Sequence, residues 1–420
     1  MDKSDLLKYA LENDMIDLDS IQNNIIMKKK EKFLAMHKYA IWQGKNGKWY
    51  TTLPDETKGR VLKKRTTRES IEDLIVEYYE TNDEETKSQK KIDTMTLELL
   101  YDEWIKYKTL HTNSSSSIRR INVDWNAFYK NDSISKVQIN KLSKIFLDEW
   151  AHSKIKEYDM TKTKYYNMSL ILRQSLDYAV DCEYIDRNIF RDIKVDKMMF
   201  KGKNKSNNGK EQVFLTTEEP IIKEYCYKMH EKYPMYTTSL AILLMFELGC
   251  RVGELVALCK SDIKGNYISI CKQEVTEFDI TTDKYKYNGT KVVPYTKKDF
   301  GNRKVFLTSN ARILISKIID ANKKYGYKED DYLILNSYGR THSRTVNKRL
   351  TDYCEKAGID KKSSHKIRKT YVSKLIDANV NIRTVMQQVG HLNEKTTYGN
   401  YCFDRSIEKE IENKIESALS

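Results

Sequence analysis

Residues 201–211, KGKNKSNNGKE, contain no apolar side chain and follow neither a helical nor a strand period, so no single core can run through them. Whatever folds before this stretch must bury its own core, and whatever folds after it must do the same. A second polar run, ETNDEETKSQKK at 80–91, divides the upstream part again. A chain of 420 residues cut this way has room for several domains with real cores.

The pieces differ in period. Residues 1–36 read as helices of unassigned role. In 37–80 the period drops to two: Tyr39, Ile41 and Lys48-Trp49-Tyr50-Thr51-Thr52 are strand formers around the turn Gly44-Lys45-Asn46-Gly47, and GRVLKKRT supplies a third strand before a helix starting at Arg68. Trp42, Lys48, Trp49, Lys63, Lys64 and Arg65 make this a small basic sheet with aromatics. It could lie in a DNA groove, or be a minidomain whose tryptophans form its core. After the 81–91 linker, residues 92–196 return to a helical period. Leu97, Leu100, Trp104 and Tyr107 form one stripe and Met168, Ile171, Leu172, Ser175 and Leu176 another; Trp125 and Trp150 anchor two more helices of a four- or five-helix bundle.

The segment 197–212 is an interdomain linker whose Lys201, Lys203 and Lys205 either cross a nucleic-acid backbone or are simply solvated. Residues 213–420 form the last domain. Thr216 and Glu219 carry a capping signal, helices follow to about Leu258, strands are expected at 267–275, 291–296 and 303–308 with a long loop at 276–290, and helices resume to the end. The expected fold class is therefore multidomain and mainly α. It comprises a small N-terminal three-stranded β-sheet with a helix, a helical bundle, and an α-rich last domain with a small antiparallel sheet.

Lys and Arg number 74 against 60 Asp and Glu, a net charge of +14, which implies a polyanionic partner such as nucleic acid or an acidic membrane face. The longest apolar stretch, near Ala241 to Phe246, is far too short to cross a bilayer. No cationic segment leads into an apolar one at the start, and the seven cysteines show no CxxC pair, so a reduced, cytoplasmic setting is expected.

Walker, GxGxxG, HExxH and GxSxG patterns are absent, and no metal-binding triad stands out. What remains is a set of cations with a tyrosine. Arg251 sits in the apolar run LGCRVGELVAL with Glu254 three residues on, close enough to hold it. His365 and Arg368 share a helix face, Gly390-His391 follows an apolar helix, and Tyr401 lies beyond Thr396-Thr397. Each segment alone is compatible with a structural role. Together they suit phosphoryl transfer to and from DNA. Two guanidinium groups can neutralise a pentacoordinate phosphorus without a metal, a tyrosine hydroxyl can attack it, and a lysine on a turn can protonate the leaving 5′-oxygen.

R-x-x-E at Arg251/Glu254, H-x-x-R at His365/Arg368, G-H at Gly390/His391 and Tyr401 after T-T resemble the tyrosine recombinases, the phage-integrase family, over roughly 213–405. The resemblance implies that Arg251 and Arg368 clamp the scissile phosphate, that His365 and His391 add hydrogen bonds or proton transfer, and that Tyr401 is the nucleophile. Tyr398 is the competing tyrosine. It also implies a catalytic lysine between the second and third strands, Lys297 by one count and Lys298 by another. Upstream, 92–196 is similar to the family's core-binding domain, and 37–80 resembles the arm-binding domains of phage and conjugative-transposon integrases. The implied protein needs no cofactor or metal and integrates and excises a mobile element as a homotetramer on double-stranded DNA, at core and arm sites. An excision factor and a host DNA-bending protein are its implied helpers, and an amphipathic C-terminal helix, with Ile407, Ile411, Ile415 and Leu419 four apart, is free to dock on a neighbouring subunit.

Overall fold

The computed structural model describes residues 18–55, 59–83, 91–202, 209–279, 285–296, 301–328 and 331–420. The first expected helix, LLKYALEN, lies outside them. So do Lys203 and Lys205 of the linker and both candidate lysines, Lys297 and Lys298. The chain forms two compact units, Met1–Lys106 with Trp125–Lys156 and Tyr166–Val195, and Tyr107–Asp124 with Glu157–Tyr165 and Asp196–Ser420. Among the described residues no helix is long and apolar enough to cross a membrane.

In the first unit α1 (Leu18–Met36) precedes an antiparallel sheet of β1 (Trp42–Gln43), β2 (Trp49–Asp55) and β3 (Gly59–Arg65), followed by α2 (Arg68–Asn82). Alternation along β2 buries Thr51 and Leu53, and α2 supplies buried Ile71 and Ile75. Thr67 caps α2, accepting from Ser70 N–H at 3.2 Å, and the helix runs past the point where the sequence places the linker. The helices α3 (Leu97–Leu110), α4 (Ser115–Phe128), α5 (Lys144–Glu157) and α6 (Lys162–Asp181) follow, with Tyr107–Asp124 and Glu157–Tyr165 of this stretch counting with the second unit. Their aromatic residues stack: Tyr101 lies 3.9 Å from Trp125 and Trp125 5.3 Å from Tyr129. Tyr107, which the sequence stripe assigns inward, is exposed.

The second unit is built around α8 (Thr238–Leu248), between α7 (Glu218–Lys232) and the short α9 (Val252–Leu255). TSLAILLMFEL is apolar almost all round, and every one of its residues except Glu247 is buried. Around it pack α7, α10 (Ser309–Lys324), α11 (Ser343–Lys356) and α12 (Ser364–Asp377); α13 (Ile382–Val389), α14 (Glu394–Tyr401) and α15 (Glu408–Leu419) complete the unit.

Two local expectations are corrected. The sequence reads 276–290 as a loop and 267–275 as one strand. Instead β4 (Ile263–Lys264), β5 (Tyr267–Ile270) and β8 (Arg303–Phe306) form one sheet, while β6 (Gln273–Phe278) leaves it to pair with β7 (Tyr287–Val293) as a separate ribbon. The ribbon's last pair is Phe278 with Tyr287, so most of the described part of that segment is strand. A two-stranded ribbon buries little on either face, and the alternation that betrays a strand is therefore missing. The Thr216/Glu219 capping box does not form either. Glu218 accepts from Leu215 N–H at 2.9 Å, while Glu219 is drawn to Lys223, Lys374 and Arg405.

Candidate active site

The site begins where α8 stops. Gly249 adopts φ 58°, and its N–H caps the helix on Met245 O. A Cβ there would lie 2.2 Å from Tyr371 Cδ1, so only glycine fits. The reversal makes Arg251 the N-cap of α9, a correction to the helix-interior position read from sequence. Glu254 holds it as expected. One carboxylate oxygen accepts from Arg251 N–H at 2.9 Å and the other from Arg251 Nη1 at 2.8 Å. Glu254 is fully buried. Burial alone would raise its pKa, but the charges of Arg303, Arg368 and Arg251 outweigh that and hold it at about 2.

Sequence reasoning missed Arg303, whose Nη2 reaches Glu254 at 2.7 Å. The signal was present: Arg303 shares the inward side of β8 with buried Val305, where a cation requires an acid.

Arg368 and His365 rise from the first turns of α12. Arg368 is fully buried. It donates from Nη1 to Gly249 O at 3.0 Å and from Nη2 to Val389 O, which ties the ends of α8 and α13 to one guanidinium. Burial and the charges of Arg251 and Arg303 lower its pKa to about 10, so it remains a cation at neutral pH. Its Nε is buried without a hydrogen-bond partner. His365, by contrast, is exposed.

Gly390, at φ 68°, ends α13, and His391 N–H bonds Met386 O at 3.0 Å. His391 Nδ1 lies 3.1 Å from Thr397 Oγ1, while Nε2 is buried and unpartnered. Burial, then Arg368, Arg251, Arg303 and His365, lower its pKa to about 3, so the ring is neutral at physiological pH. Tyr401, the last residue of α14, completes the group. Its ring lies 4.3 Å from His391 and 5.3 Å from His365, with the Arg368 guanidinium 5.6 Å from its centroid. Ser373 Oγ fixes the backbone by donating to Tyr401 O at 3.2 Å. Tyr398, on the same helix, is exposed.

Arg251, His365, Arg368, His391 and Tyr401 thus come together within the second unit. Of the lysine turn the flanks are described: Thr296 is buried, and a Cβ on Gly301 would meet its Oγ1 at 1.7 Å. Among the described residues no group of three or more His, Cys, Asp and Glu could hold a metal ion.

The N-terminal sheet divides the other predicted contact residues. Trp42 pairs with Tyr50 and Tyr50 with Lys64, so these share a face, and Trp42 stacks on Tyr50 at 5.8 Å while staying exposed. Lys63 pairs with buried Thr51 and Arg65 with Trp49 on the opposite face. Lys48 is exposed at the turn, and Lys201 forms an ion pair with Asp159.

Residues 216–405 match the phage integrase family. The integrase of Staphylococcus phage L54a is 24% identical over 79% of this chain and 96% of its own length. Among solved structures, the Tn1549 transposon integrase in complex with transposon right end DNA aligns with TM-score 0.57 and 17% identity over 78% of this chain and all of that one. A lambda integrase tetramer bound to a Holliday junction aligns with TM-score 0.51 and 15% identity over 88% of this chain and 96% of that one. Fold, site and relatives define a site-specific DNA recombinase. Residues 216–405 carry the phage integrase domain of the tyrosine recombinases, and the chain as a whole is similar to integrases of the phage and transposon type.

Proposed function

We propose that the protein cuts and rejoins DNA through a covalent 3′-phosphotyrosine at Tyr401, integrating and excising a mobile element. The observation that carries this reading is the seating of the Tyr401 ring against His391, His365 and Arg368. The phenol oxygen attacks phosphorus, the bond to the 5′-oxygen breaks, and Lys297, or its neighbour Lys298, protonates that oxygen. Arg251 and Arg368 neutralise the charge that grows on the non-bridging oxygens. Two of the five donors on Arg368 are spent on carbonyls, which fixes the direction of the remaining three. His391, neutral, contributes a hydrogen bond or takes up a proton, and His365 assists from the open side. Rejoining reverses these steps with a 5′-hydroxyl as nucleophile.

The three-stranded unit reads arm sites through its Trp42, Tyr50 and Lys64 face, with Lys48, Lys63, Arg65 and Lys201 as further cations. The helices of 92–196 hold the core site. Four subunits assemble on double-stranded DNA in the cytoplasm, and an excision factor and a host bending protein set the direction. The C-terminal helix α15 leaves Ile415 and Leu419 exposed, which suits docking on a neighbouring subunit.

The test is a nicked duplex that loses its 5′ fragment after cleavage, selected from randomised DNA by its SDS-resistant adduct with the protein. Wild type and Tyr398→Phe are expected to give the adduct and Tyr401→Phe none. An adduct with Tyr401→Phe defeats the assignment.

A further inference from the structure

Arg303 opens β8, two residues after Gly301, and only 4% of its side chain is exposed. Its guanidinium donates in three directions: Nη2 to Glu254 Oε2 at 2.7 Å, Nη1 to Gly301 O at 2.9 Å and Nε to Gln388 O at 2.8 Å. The acceptors belong to three separate parts of the site. Glu254 orients Arg251, Gly301 lies just ahead of β8, and Gln388 lies in the last turn of α13, just ahead of Gly390-His391. Gln388 is held a second time, its Oε1 accepting from Phe306 N–H of β8 at 3.1 Å. An ion pair alone would need only the carboxylate. A rigid planar fork that also binds two backbone carbonyls fixes where those three parts lie relative to one another.

We infer that Arg303 is a positioning residue for strand cleavage, holding Glu254, and through it Arg251, in register with Gly301 and the helix that leads to His391. The inference rests on the function proposed above. Buried as it is, Arg303 acts on the phosphate only through the groups it places. Displacement of a reacting group by about 1 Å costs on the order of a hundredfold in rate.

The experiment compares single-turnover cleavage of the selected nicked duplex by wild type, Arg303→Met, Arg303→Lys, Glu254→Gln and the Arg303→Met/Glu254→Gln double variant. Duplex affinity is measured in a Tyr401→Phe background, and thermal unfolding of each variant is recorded. Arg303→Met is expected to cut about a hundredfold slower with affinity unchanged. Arg303→Lys, which keeps the charge but not the fork, should cut about tenfold slower, and it serves as the test if the methionine variant does not fold. The double variant should be no slower than the slower single one beyond about threefold, because both substitutions break the same link.

The pH profile separates positioning from a purely structural role. Glu254 faces Arg251 at its own helix start, Arg303 on β8, Arg368 on α12 and the Cys250 thiol. Without Arg303 it takes up a proton at higher pH, so the variant's rate should fall between pH 8 and 5 more steeply than wild type's. Folded variants that cut within about threefold of wild type overturn the inference, as do rates that multiply in the double variant or a pH profile shaped like wild type's. Adduct formation by wild type tests the proposed function. Only the ratio of variant to wild type tests Arg303, so the two fail separately.

Discussion

Glu254 shows how a single carboxylate makes a cluster of cations tolerable. It is buried, it answers Arg251 and Arg303 directly, and its pKa of about 2 lies below the ordinary 4.5. A carboxylate with a depressed native pKa stabilises the fold fully above its unfolded pKa, and that contribution disappears as pH falls toward the native value. Glu254→Gln should therefore be less stable than wild type at pH 7. The gap should narrow by roughly 3 kcal/mol as pH falls from about 4.5 to 2, read from paired denaturant titrations. His391 has a different readout. With a pKa of about 3, its imidazole resonances should not move between pH 5 and 8. The motifs that resemble the tyrosine recombinases singled out Arg251, His365, Arg368, His391 and Tyr401 as candidates in the sequence. Arg303 was legible only as an inward-facing strand residue beside Val305, because its partners lie 49 and 85 residues away along the chain.

At the scale of elements, the strongest local requirement is the turn that ends α8. Gly249→Ala combines a left-handed φ with a collision against Tyr371, and should destabilise the second unit by about 2–4 kcal/mol, measured by thermal unfolding. Helices were readable wherever an apolar stripe faced a core, as in α3 and α6. The β6–β7 ribbon was not, since its partners are each other rather than a core. Nor was the fate of Glu219, which a local rule assigns to a cap and the fold assigns to Arg405, 186 residues later. The N-terminal sheet was legible as three strands, but the division of its cations between two faces follows only from register. Lys64→Ala should reduce the slope of log affinity against log salt for duplex DNA by about one, and Lys63→Ala, on the opposite face, by less.

Across the whole molecule, the net charge of +14 implies binding driven by counterion release. Affinity for duplex DNA should fall by about 10³ to 10⁵ between about 50 and 200 mM salt if about six to ten phosphates are contacted, as measured by equilibrium titration. How distant segments meet at the site was not legible in the sequence, because hydrogen bonds to carbonyls such as those of Gly249 and Val389 carry no residue signature. One feature of the fold also matters before the fold exists. Helix α8 is greasy on every side, yet its partner α12 is completed only at Asp377, about 130 residues after Leu248. At about 5–20 residues per second, the nascent chain carries a bare sticky rod for on the order of ten seconds, a window in which a ribosome-associated chaperone would find its client.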